Sequence, residues 1–323
     1  MTGWLARRSV DAVISAAVAI LLLVALVHIM PGDPLAVILG DRPADAATVA
    51  RLRERYGIDR SLPQALGDFA RGVVRGDLGI ALSEQRPVTT VLSDHVGPTL
   101  LLGSLTLLIN FTVGLALGLW WALHPETLRS RVMSAATVVG YALPTFAIGM
   151  VLVWIFAVQL GWLPAAGSSD PLLAADAPLS RVLLDRLAHL VLPLAAMVTA
   201  TIAVPIRQQR SAALAVAAQP WVRAARARGL SPAVVAWRHC WRPALTPIVT
   251  LLGLWLPMLV SGAVLVESVF AWPGLGTLLA EATLNRDVPL VIGAGLLLVV
   301  AVQLGSLLAD VLYRIVDPAQ REL

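Results

Sequence analysis

The sequence contains no lysine; its basic side chains are arginine and five histidines. A phosphate-binding P-loop needs a lysine directly after its glycine-rich turn, so the chain carries no ATPase site of that standard kind. A single cysteine, Cys240, excludes an intrachain disulfide. No HExxH or GxSxG motif and no paired acids within an apolar run are present, which removes the usual membrane-hydrolase and metal sites. Neither a metal nor another cofactor is expected. Charge is scarce where it would matter most. Ion-coupled transporters usually keep an ionisable group near mid-membrane, yet the apolar runs 98–123, 133–160 and 244–266 hold no charged residue. Asp11, His28, His189 and Asp310 lie near the ends of other runs. The two histidines read as interfacial or core residues rather than proton relays. Asn110 and Gln303 are uncharged and serve as well for bonds between helices. Energy for any transport must come from outside the chain.

What is present is apolar. Of 323 residues 58% are hydrophobic and 14% charged, and the mean hydropathy is +0.80. These values belong to an all-α polytopic membrane protein. The net charge of +4 needs no nucleic acid to explain it, because the arginines sit beside membrane runs. Six runs, 12–30, 98–123, 133–160, 187–206, 244–266 and 288–312, are each long enough to cross about 30 Å of hydrocarbon at about 1.5 Å per residue. The first lacks a small-residue cleavage site and is followed by Pro31-Gly32-Asp33-Pro34, so it is read as a retained helix. Residues 31–97 form a polar region, with a helix expected over 46–56 (Asp45 as cap, Gly57 as stop) and a short one over 88–94.

Orientation follows from arginine. Arg7, Arg8, Arg129, Arg131, the stretch 207–243, Arg314 and Arg321 fall on one side of a six-span arrangement. The opposite short loops mix Arg181, Arg186 and Arg286 with six acids, among them Asp170, Asp185 and Asp287. The arginine-rich side is cytoplasmic, which places both termini inside and region 31–97 outside. The expected organisation is an arm and first span over 1–30, the external region 31–97, a five-helix core over 98–317 with a cytoplasmic insert at 207–243, and a tail over 318–323. Pro144 and Pro257, with Pro193, Pro205, Gly253 and Gly262, interrupt the spans. They act either as packing kinks or as joints of a moving pathway.

The insert is the most structured polar segment. Pro220 suits a first helical position after Gln219, Trp221 to Arg228 gives about two turns, and Gly229 ends them. Ser231-Pro232 then starts a second helix through Trp241. Ala224 and Ala225 allow close approach, Trp221 and Val222 offer apolar anchors, and Arg223, Arg226 and Arg228 surround them. Two readings fit: a solvated, interfacial amphipathic loop, or a docking element that passes force into the adjoining spans.

The run Trp221-Val222-Arg223-Ala224-Ala225-Arg226-Ala227-Arg228-Gly229-Leu230-Ser231 resembles the EAA loop of ABC-importer permeases, in the branch that serves dipeptides and oligopeptides. Arg223 stands where the general motif has glutamate, as is common in that branch. The stretch from Trp237 to Pro247 resembles its continuation, with Trp241 in place of leucine and Pro243 in place of asparagine. Further blocks follow in family order: Met30-Pro31-Gly32-Asp33-Pro34, Tyr56-Gly57-Ile58-Asp59, Arg75-Gly76-Asp77-Leu78-Gly79, Leu143-Pro144-Thr145-Phe146, Gly161-Trp162-Leu163-Pro164, Glu267 to Gly276, and Asp310 to Tyr313 with Asp317-Pro318.

The resemblance implies a type I ABC-importer permease, not itself an enzyme, in the bacterial cytoplasmic membrane. Its implied partners are a second homologous permease, two cytoplasmic ATPase subunits and an extracytoplasmic substrate-binding protein. Trp221, Arg223, Ala224, Ala225, Arg226, Arg228 and Gly229 would then couple to an ATPase. Glu267, Phe270, Trp272, Pro273, Gly274 and Gly276 would lie at the outer mouth of the pathway. Peptides are the default substrate, but nickel, glutathione, haem and other small solutes use permeases that look alike. A secondary transporter or channel is the remaining class.

Overall fold

The computed structural model describes residues 2–29, 45–56, 61–124, 127–174, 176–255 and 264–316. The expectations for Pro31–Pro34, Gly57, Pro257, Gly262, Asp317-Pro318 and the tail lie outside these residues. In chain order the helices are α1 Thr2–Ile29, α2 Ala46–Tyr56, α3 Leu62–Arg75, α4 Val88–Leu123, α5 Leu128–Ala142, α6 Thr145–Gln159, α7 Leu179–Thr201, α8 Ala203–Ala217, α9 Pro220–Ala227, α10 Pro232–Val234, α11 Arg242–Ala244, α12 Thr246–Trp255, α13 Val264–Val269, α14 Leu275–Leu284 and α15 Val288–Val316. No β-strand occurs among the described residues, only one isolated bridge between Ile80 and Pro87. Among the described residues, four helices, within α1, α4, α7 and α15, are long and apolar enough to cross a membrane, and the pair α5–α6 makes five if it is one span.

Several boundaries differ from expectation. Helix α4 starts at Val88 and runs through Pro98, so the short helix expected over 88–94 and the run from 98 are one element. Helix α3 was not expected at all. Ser61 N–H donates to Gln64 Oε1 at its start, and Gly76, at φ 72°, ends it in the left-handed region. The third run is not a gently kinked helix. Leu143 and Pro144 separate two 15-residue limbs that meet at 106°. Pro144 has extended ψ and lacks the N–H that would continue α5.

The chain forms two compact units, Met1–Thr99 with Pro273–Leu304, and Leu100–Trp272 with Gly305–Leu323. In the first, the buried carboxylate of Asp287 accepts from Ser83 N–H (2.8 Å) and Ser83 Oγ–H (2.7 Å). Its other oxygen accepts from Leu290 N–H (3.2 Å) and so caps α15. Thr99 Oγ1 likewise accepts from Leu275 N–H (2.8 Å) at the start of α14. One loop and two helix starts are thereby tied together far apart in sequence.

The second unit is built on a seam between α4 and the α7–α8 pair. Thr106 faces Met197, Asn110 donates to Thr201 Oγ1 (2.8 Å), Gly114 faces Pro205 and Gly118 faces Gln209. Each pair is 91 residues apart and each step is four residues, so the two helical tracks run parallel in register. Residues Asn110–Gly114 form a π-helical turn opposite the break at Ile202. An apolar core of Leu102, Ile148, Leu192, Ala196, Val266 and Phe270 fills one end of the unit.

Candidate functional site

The basic insert folds as a closed hairpin. Gln219 is extended, Pro220 opens α9, and Arg228 caps it before Gly229 turns at φ 79°. A side chain at that φ would be strained, which is why glycine ends the helix there. Ser231 starts the second limb: Val234 N–H reaches its Oγ at 3.4 Å and Val235 N–H its carbonyl at 3.0 Å. That limb is π-helical from Val235 to Trp241, a widening the sequence does not announce.

Packing divides α9 into two faces. Val222 and Ala225, three residues apart, are buried against Val235 and Cys240 with Val216 and Ala217 beside them. Trp221, Arg223, Ala224, Arg226, Arg228 and Gly229 are exposed. Val222 is fully buried in the hairpin's own core. Ala225 meets its own chain, whereas Ala224 and Gly229 stay exposed.

The surface is purely cationic. From residue 187 to residue 266 the chain holds no Asp or Glu, and the five arginines from Arg223 to Arg242 form no ion pair among the described residues. Cys240 lies beneath Arg226. Burial pushes its thiol above the ordinary cysteine range, with Arg226 pulling weakly the other way.

The first residues of stretch 207–243 are not loop at all. They continue helix α8, which buries one face, and there Arg207 Nε donates to Thr137 Oγ1 (3.4 Å) and Arg210 stacks 4.3 Å from the Trp121 ring centroid. Gln209 is wholly buried with neither amide atom hydrogen-bonded, and Asn110 Oδ1 shares that condition. Asn110 is read from sequence as a bond between helices, and its Nδ2 does donate to Thr201 Oγ1; Gln209 is not singled out there. The signal was available for the contact, if not for the polarity: Gly114 and Gly118 form a G-x-x-x-G pair, the usual mark of close helix approach.

The second expected site is also internal. Glu267, Phe270, Trp272, Gly274 and Gly276 are buried and Pro273 is half-buried. Phe270 sits in the core, within close contact distance of a Cβ placed on Gly149. Its carbonyl accepts from Gly167 N–H (2.8 Å), and Trp272 N–H closes a turn onto the Glu267 carbonyl (2.8 Å) through Ala271 at φ 45°. His189 is local too: its Nδ1 is 2.8 Å from the Asp185 carbonyl and 3.2 Å from the Asp185 carboxylate. No group of three or more metal-ligating side chains occurs among the described residues.

Comparison with known proteins gives concordant results. Residues 114–322 match the family described as binding-protein-dependent transport system inner membrane component. The chain is 36% identical over 313 residues to the di/tripeptide transport system permease protein DppB of Pseudomonas aeruginosa, covering 93% of each. It is 33% identical over 321 residues to the glutathione transport system permease protein GsiC of Pectobacterium atrosepticum, covering 99% of each. Among solved structures, the inward-facing MetNI methionine ABC transporter matches with a TM-score of 0.52 at 20% identity, over 70% of this chain and 96% of that one. At that identity the likeness establishes a shared fold and nothing more.

Proposed function

The chain belongs to the family of inner-membrane components of binding-protein-dependent transport systems, and on that premise we propose that it forms half of an ATP-driven import pathway for short peptides. It is a membrane transport permease of the ABC type, and its apolar helices are of spanning length. In the proposed topology six spans cross the bacterial cytoplasmic membrane with both termini inside. A second homologous permease completes the pathway, two cytoplasmic ATPase subunits supply the energy, and an external binding protein delivers the solute.

The observation that carries this reading is the exposed cationic face of α9. Trp221, Arg223, Ala224, Arg228 and Gly229 stand clear of the chain's own core, while Val222 and Ala225 fasten the helix to the limb that leads into α12. A load on that face passes through packed side chains and not through a slack loop. Closure of the ATPase dimer would move α9, and the α8 and α12 helices that flank it, as one body. Arg226 joins this contact or the cavity beside it. The buried Glu267–Gly276 turn would act at the outer end by repacking around Phe270, since its side chains do not line an open surface.

Peptide is the substrate class the relatives support. The DppB and GsiC names point to di- and tripeptides and to glutathione, itself a tripeptide, so a short peptide backbone is the common chemistry. Nickel and haem fit less directly, and selectivity would reside chiefly in the binding protein. The test is co-purification of the tagged chain with the products of its neighbouring genes, followed by peptide uptake into proteoliposomes. An ATPase subunit should co-purify and uptake should require internal ATP. Uptake driven by an ion gradient with no ATPase bound would favour a secondary transporter and overturn this reading.

A further inference from the structure

Beside the hairpin lies a cavity of about 800 Å³, walled on one side by the end of α4 and on the other by the second limb of the insert. Leu119, Trp120 and Leu123 line the first wall, and Ala236 and Trp237 the second. Its cation is Arg226, and His124 stands at the end of α4 stacked on Trp120 with 5.2 Å between rings. No lining residue is acidic, and no acid of the stretch 187–266 exists to neutralise Arg226. A cavity of this size with an apolar lining and one fixed charge has the form of a ligand site.

Two features say which ligand. The cavity lies at the end of an exposed face of α4, through Leu101, Ser104, Leu108, Thr112 and Ala116, whose two hydroxyls are spent on backbone carbonyls of their own helix, so it is continuous with the surface of a membrane-spanning helix. Its lining holds the stacked pair Trp120 and His124 and also Trp237, whose ring lies 5.1 Å from that of Trp241. Tryptophan gathers at the level of lipid headgroups, and basic pockets on the cytoplasmic side of helices take anionic headgroups. A soluble phosphate would satisfy Arg226 but leave the apolar walls wet.

We propose that this cavity binds an anionic phospholipid of the cytoplasmic leaflet, with an acyl chain along α4 and the phosphate at Arg226. The proposal rests on the cytoplasmic placement of the insert argued above, and does not require that an ATPase docks on α9. A bound lipid would hold the second limb of the hairpin at the membrane surface and keep the α9 face presented outward.

The experiment uses the assembled transporter, purified in detergent and supplied with phosphatidylglycerol or phosphatidylcholine of identical chains. Retained lipid is counted by native mass spectrometry, and the ATPase subunits are counted in the same spectra. Both headgroups carry a phosphate, but choline neutralises it in phosphatidylcholine, so a site with one uncompensated arginine predicts about fivefold stronger retention of phosphatidylglycerol. Arg226→Gln should bring the two lipids to parity, and Ala116→Trp, which fills the cavity from α4, should abolish retention of both. Equal retention by the unaltered protein, or unchanged phosphatidylglycerol retention in Ala116→Trp, would overturn the proposal. A cross-link from Trp237→Cys to an ATPase subunit would assign the cavity to that subunit and overturn it equally. Absence of ATPase subunits from the unaltered protein, with its phosphatidylglycerol preference intact, would count against the coupling role of α9 and leave the lipid site standing.

Discussion

Gly118 and Gln209 meet where α4 packs on α8: a Cβ on Gly118 would lie 2.8 Å from the Cβ of Gln209 and still nearer the carbonyl of Ile206. The backbone of α8 cannot yield as a flexible side chain would. Gly118→Val should therefore destabilise the protein by about 1–3 kcal/mol through overpacking. A thermal melt in detergent checks this, and an unchanged melting temperature would show that the seam opens easily.

Gln209 invites the opposite change. Its amide is buried without a hydrogen-bond partner, and such a group costs about 1–3 kcal/mol to bury. Gln209→Met keeps the length and removes the polarity, so it should leave the melting temperature unchanged or raise it. A clear fall would mean that the amide has a partner in the assembled transporter.

In the other unit, Asp287→Ala removes three accepted hydrogen bonds at once, two from Ser83 and one that caps α15. The expected loss is about 1–3 kcal/mol. Because Ser83 lies in the loop before α4, that loop should also become sensitive to limited proteolysis while other loops do not.

Cys240 should be a poor nucleophile. Burial raises its pKa, so less thiolate is present at neutral pH than for an exposed cysteine, and reactivity should climb as pH rises towards the raised value. The sign for stability is the reverse: the buried thiol contributes fully below its unfolded pKa, and that contribution is lost as pH rises through the folded one. Maleimide labelling of inside-out vesicles should be at least about tenfold slower at Cys240 than at Ala224→Cys. The same Ala224→Cys protein should resist a membrane-impermeant reagent in intact cells. Labelling there would reverse the proposed orientation.

Much of the local structure was legible. The helix over 46–56 and the α9 turn between Pro220 and Gly229 appear with the bounds their caps predict, because capping chemistry is local. The α3 helix was missed although Ser61, Gln64 and Gly76 frame it, since the surrounding Gly- and Pro-rich composition reads as loop. What sequence could not supply was partner choice. Val222 and Ala225 look as available as Trp221 and Ala224 until Val235 and Cys240 fold back over them. The buried Glu267–Gly276 turn follows the same logic, because its burial depends on Phe270 finding a core that includes Ile148 and Leu192. Proline marked the break at 144 but not its 106° angle, which is set by what the two limbs pack against.

The central claim is that the exposed arginines of α9 couple ATP hydrolysis to transport. It is tested most directly by Arg223→Glu with Arg228→Glu in the reconstituted transporter, reading ATP-driven peptide uptake beside membrane insertion and fold. Neither residue supports the internal core, so the chain should insert and melt normally while uptake falls at least about tenfold. Uptake at the level of the unaltered protein, with the ATPase still bound, would contradict the account.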